Sequence, residues 1–115
     1  MTPDALRDLV VETLEAYKAT DIVALKVTNY TVITDYMVIA SGTSNRHVNA
    51  LTDNLLKEAK ARKLEIHGVE GQQTAEWVLL DLGDVLVHVM QQETRQFYDL
   101  ERLWGDVPSD HETRV

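Results

Sequence analysis

Cysteine is absent from this chain of 115 residues. That excludes a disulfide framework, a thiolate metal site and a cysteine nucleophile. No apolar stretch approaches the roughly 20 residues needed to cross a bilayer. The opening Met1-Thr2-Pro3-Asp4 lacks the basic start and apolar run of a signal peptide. Together these absences lead us to expect a cytoplasmic protein with no membrane contact. Positive charge is also scarce, with 11 Lys and Arg against 19 Asp and Glu and a net charge of −8. Binding that rests mainly on nucleic-acid phosphates needs a basic footprint, because those contacts carry the affinity. The chain has the opposite sign, so any RNA contact is at most secondary. It would be drawn instead towards a basic protein. The same acidity also keeps a domain soluble.

What is present suits one ordinary globular domain. Hydrophobic residues make up 44% and charged residues 26%, and this length holds one core rather than two. Thr2 can cap a helix with Pro3 at its first position. Leu6, Leu9, Val10, Leu14 and Tyr17 recur at helical spacing, which predicts a helix over 3–18. Short β-rich runs follow at 22–28 and 36–41. Ser41-Gly42-Thr43-Ser44-Asn45 then breaks the pattern and supplies capping oxygens. The next helix places Val48, Leu51, Leu55 and Ala59 on one side. Gly68 and Gly71 mark a loop, and strands are expected at 76–82 and 85–90, joined at Gly83-Asp84. A third helix is predicted over 92–104, with Phe97, Leu100, Leu103 and Trp104 on one side and Gly105 as its stop. We therefore expect an α/β domain over 1–105, with a mixed β-sheet of four to five strands and helices on one face. Residues 106–115 read as a disordered acidic tail.

The hairpin carries the most information. Alternate residues of a strand point to opposite faces. With a two-residue loop, Leu82 faces Val85, Leu80 faces Val87 and Val78 faces Val89. That side is wholly aliphatic and belongs to the core. The other side pairs Asp81 with Leu86, Leu79 with His88, and Trp77 with Met90. A slip of one residue would scramble the separation. Large apolar groups do not face water together unless something covers them. Either the third helix folds back over them, or a partner molecule does.

Catalytic signatures are missing. His47, His67, His88 and His111 include no pair at the i, i+4 spacing of a metal site, and His47, His88 and His111 each read as isolated side chains. Neither G-x-S-x-G nor a P-loop occurs. Ser41-Gly42-Thr43-Ser44 before a helix invites comparison with nucleotidyltransferases, where a helix start binds phosphate. Those enzymes also need two metal-holding carboxylates at alternating strand positions. Asp81 and Asp84 straddle the proposed turn instead. An enzyme using Ser44 and Asp81 remains the alternative, and a homodimer through the apolar face a second one. We expect neither a cofactor nor a metal.

The run Asp35-Tyr36-Met37-Val38-Ile39-Ala40-Ser41-Gly42-Thr43-Ser44-Asn45-Arg46-His47-Val48 is very similar to a signature of the ribosomal silencing factor, or Iojap-like, family. Gly68-Val69-Glu70-Gly71, the stretch from Trp77 to Val85, Val87-His88-Val89-Met90 and the stretch from Arg95 to Trp104 resemble it too. The likeness spans about residues 4–105 in order, without a large gap. It implies a nucleotidyltransferase-like fold without the catalytic carboxylates. It also implies a non-enzymatic factor that binds the large ribosomal subunit through its ribosomal protein fourteen. Such a factor sterically blocks joining of the small subunit and represses translation. Carried to this sequence, the resemblance makes Trp77, Leu79, Asp81, His88 and Met90 the partner-binding face, joined by Glu70 and Tyr98. Trp77 would be the anchor, and Asp81 or Glu70 would pair with a lysine or arginine.

Overall fold

The computed structural model describes residues 1–98 and 109–113. Helix α1 spans Pro3–Ala16 and starts as expected, with the Thr2 hydroxyl accepting from Ala5 N at 3.1 Å. It ends before Lys18, whose φ of 67° turns the chain into strand β1, Thr20–Lys26. Strand β2 is Tyr36–Gly42, and helix α2 is Asn45–Ala61 with Ser44 as its cap. Strands β3 (Gly68–Glu70), β4 (Trp77–Asp81) and β5 (Val85–Gln91) follow. Helix α3 begins directly after β5 at Gln92 and is described to Tyr98, and β6 is Ser109–Thr113. The remainder of the predicted third helix, with Leu100, Leu103 and Trp104, lies outside the described residues.

The strands form one mixed sheet in the order β3-β4-β5-β2-β1-β6. β2 and β5 are parallel, and the other neighbours are antiparallel. The four strands legible in the sequence are the middle of this order, and both additional strands lie at its edges. β3 is only three residues long, too short for an alternation to register, and it sits between the two glycines that read as a loop. β6 corrects the expectation of a disordered tail over 109–113. Its backbone pairs with β1, Ile22 opposite Thr113 and Ala24 opposite His111. An open strand edge offers unpaired N–H and C=O groups, and pairing with them requires no apolar side chains. A composition-based reading counts only the apolar side chains.

The core lies on both faces of the sheet. On one face α1 and α2 pack Leu6, Val10, Leu14, Val48, Leu51 and Leu55 against Val38, Ala40, Val78, Leu80, Val85, Val87 and Val89. All six aliphatic residues of the expected core side of the hairpin are buried, each worth about 1.5–3 kcal/mol. The other face carries a second cluster of Val23, Leu25, Val27, Met37, Ile39 and Met90, with Trp77 packed against it. Placement of every helix on one face therefore holds for α1 and α2 but not for α3. The α3 residue Arg95 is buried and donates to the Ser41 hydroxyl at 2.9 Å and the Asp21 carbonyl at 2.6 Å. Ser41 is in register with Met90, on the side away from α1 and α2.

Candidate functional site

The register of β4 and β5 is the one the alternation requires. Trp77 lies opposite Met90, Leu79 opposite His88, and Asp81 opposite Leu86. The turn closes with Leu82 N donating to Val85 O at 3.0 Å, and Gly83 takes a positive φ of 82°. Asp81 Oδ1 accepts from Gly83 N at 2.8 Å. The Asp81 carboxylate thus stabilises the bend that Gly83 and Asp84 form. It is half-buried, and its other carboxylate oxygen is a further acceptor.

β3 extends this platform. It pairs antiparallel with β4, bringing Glu70 opposite Leu79. Gly71 then turns with φ 94°, and a β-carbon there would lie 2.1 Å from the Trp77 carbonyl oxygen. Only glycine allows the chain to pass so close to that backbone. Glu70, Gly71, Trp77, Leu79 and His88 consequently line an open depression of about 320 Å³. Glu70 is exposed, and Trp77 and Leu79 are half-buried.

Trp77 and His88 meet diagonally across the two strands. The indole Nε1–H donates to His88 Nδ1 at 2.9 Å, and the rings are tilted at 49° with centroids 5.9 Å apart. An imidazole that accepts at Nδ1 carries its proton at Nε2 when neutral. That Nε2 is buried and has no hydrogen-bond partner among the described residues. Burial pushes the His88 pKa from 6.5 down to about 4, so the ring is neutral at neutral pH.

Four of the expected partner-binding residues, Glu70, Trp77, Leu79 and His88, therefore share one concavity. Asp81 stands farther along β4, at the turn. Met90 needs correction as a surface residue: it is fully buried in the second cluster. A strand residue that faces away from the helices is not thereby exposed when the sheet has a second core. The Tyr98 side chain lies outside the described residues. Gly71 was read only as a loop marker, and the Trp77–His88 bond was not foreseen. The register already placed the two rings diagonally on one face, within reach of large side chains.

The loop before α2 is occupied by its own side chains. Thr43 N donates to His47 Nδ1 at 2.9 Å, and His47 Nε2 bonds the Tyr17 carbonyl at 2.9 Å. The cap leaves His47 N donating to Ser44 Oγ at 3.1 Å. His47 is thus a brace between two helix ends rather than the isolated side chain expected. Among the described residues no group of three or more His, Asp or Glu side chains is placed to hold a metal ion.

A family model described as "Ribosomal silencing factor during starvation" matches residues 1–115. The chain belongs to the ribosomal silencing factor family. It is 47% identical over 101 residues to ribosomal silencing factor RsfS of Haemophilus influenzae, covering 88% of this chain and 99% of that protein. The crystal structure of a Chromobacterium violaceum protein superposes with a TM-score of 0.89 at 41% identity, over 91% of this chain and 88% of that one. A mouse protein named for mitochondrial assembly of the ribosomal large subunit is 38% identical over 100 residues, 84% of this chain and 44% of that protein. Family membership places the chain among ribosomal silencing factors, which are regulatory proteins.

Proposed function

We propose that this protein docks on the large ribosomal subunit, through ribosomal protein fourteen, and blocks joining of the small subunit by steric exclusion. It thereby represses translation in the cytoplasm, with no chemical step. The observation that carries this reading is the ready-made depression around Trp77. It combines a half-buried indole, an aliphatic wall from Leu79 and an exposed carboxylate from Glu70. A half-buried aromatic at the centre of a small apolar hollow is the usual form of a protein-binding hot spot. The net charge of −8 supports a basic protein partner over bare RNA. The family membership and the mouse relative's name support the ribosome and its large subunit.

The test is sedimentation of the purified protein with isolated subunits. It should travel with the large subunit and not the small one, and excess protein should reduce assembly of the complete ribosome. Trp77→Ala should weaken large-subunit binding about thirtyfold or more, the factor for losing a hot-spot aromatic. Unchanged co-sedimentation of a folded Trp77→Ala protein would reject the site.

A further inference from the structure

The docking reading assigns His88 no more than a place on the contact face, but its geometry fits a contact residue poorly. His88 is 8% exposed, neutral, and its one polar contact among the described residues is with Trp77 rather than with solvent. We infer that His88 is a positioning residue: its Nδ1 holds the Trp77 indole in the orientation in which the ring meets the partner. The inference rests on the docking reading for its consequence, though the holding itself is a property of the free protein.

Three observations support it. The bond is well formed, at 2.9 Å from Nε1 to Nδ1, and joins side chains on two paired strands, so it fixes the ring relative to the sheet. Trp77 is half-buried and lines an open concavity, where packing alone constrains a ring less than in a closed core. Finally, the buried His88 Nε2 has no partner among the described residues, and leucine at this position would bury no such group. What histidine supplies that leucine cannot is the acceptor on its other nitrogen. Fixing the indole beforehand removes the loss of freedom that docking would otherwise impose. It also engages the one polar atom of the indole, so the partner meets an apolar ring.

The inference is tested with His88→Leu, which keeps bulk and removes the acceptor, and His88→Gln, which retains one. The first readout is hydrogen exchange of the Trp77 indole N–H, assigned by its disappearance in Trp77→Phe and thereby separated from Trp104. The second is affinity for purified large ribosomal subunits. His88→Leu should speed indole exchange about tenfold or more as the bond is lost. It should also weaken binding about three- to tenfold, the effect of ordering one large side chain on docking. His88→Gln should restore both towards the wild-type values. If His88→Leu lowers the melting temperature while indole exchange and affinity stay unchanged, His88 is only structural and the inference falls. A His88→Gln protein as impaired as His88→Leu in both readouts overturns it as well. Should the wild-type protein fail to bind large subunits, the docking reading is lost. The indole exchange would still decide whether His88 holds the ring.

Discussion

Tyr36 and Asp4 are joined by a hydrogen bond of 2.5 Å, the Tyr36 hydroxyl donating to Asp4 Oδ1. It fastens the first turn of α1 to the first residue of β2. Arg7, one turn farther on, donates to the same hydroxyl oxygen at 3.1 Å and places its guanidinium 4.8 Å from the ring centroid. Tyr36→Phe removes a donor to a carboxylate and an acceptor for a guanidinium at once. Hydrogen bonds to charged groups contribute about 1.5–3 kcal/mol. The urea midpoint should fall accordingly, with the slope of the transition unchanged.

Gly71 is expected to tolerate no side chain. Alanine would bring its β-carbon to 2.1 Å from the Trp77 carbonyl at a φ of 94°, so the loop must move away from β4. Strain of this kind costs about 1–3 kcal/mol. Gly71→Ala should therefore lower the melting temperature and shift Trp77 fluorescence, whereas Gly68→Ala, with open space around its position, should leave the fluorescence unchanged.

His88 makes stability depend on pH. Its pKa is 6.5 in an ordinary setting and about 4 here because burial disfavours the charged ring. Above pH 6.5 both folded and unfolded chains hold it neutral, and its full contribution is present. As the pH falls towards 4 the unfolded chain takes up a proton that the folded one refuses, so stability is lost at about 1.4 kcal/mol per pH unit. Denaturation at pH 7 and pH 5 should differ by roughly 2 kcal/mol more in the wild type than in His88→Gln.

Arg95 connects α3 to the sheet. It is buried and donates to both the Asp21 carbonyl and the Ser41 hydroxyl. Arg95→Met preserves much of the bulk but leaves the buried Ser41 hydroxyl and the partly buried Asp21 carbonyl without this donor. A loss of about 2–4 kcal/mol is expected in calorimetry. Amides of α3 should exchange faster, and those of α2 should not.

The middle of the molecule was legible and its margins were not. Alternation from Val78 to Val89 set the hairpin register because one face was purely aliphatic, and a slip would have cost that whole face. The cap at Thr2 and the spacing of Val48, Leu51, Leu55 and Ala59 likewise read through to the observed helices. The second core was harder to see. Met37 and Ile39 belong to a strand buried at every position, and a continuous apolar run does not say which residues face which layer. Met90 was misjudged for that reason. The candidate site divided in the same way. Trp77, Leu79 and His88 followed from strand parity. The bond between Trp77 and His88 and the closeness of Gly71 to the Trp77 backbone depend on side-chain and loop geometry that no periodicity encodes.

The laying of Ser109–Thr113 along β1 bears on how copies of the protein avoid one another. A sheet bare on that flank would present the full length of β1 as a template for another molecule's strand, the usual first step towards aggregation. With β6 in place, the two margins of the sheet are short strands, the five residues of β6 and the three of β3, between Glu65 and Gly71 in the chain. So short a rim next to exposed acidic side chains is a poor seed for sheet-to-sheet stacking, and clipping the chain before Ser109 would restore the hazard.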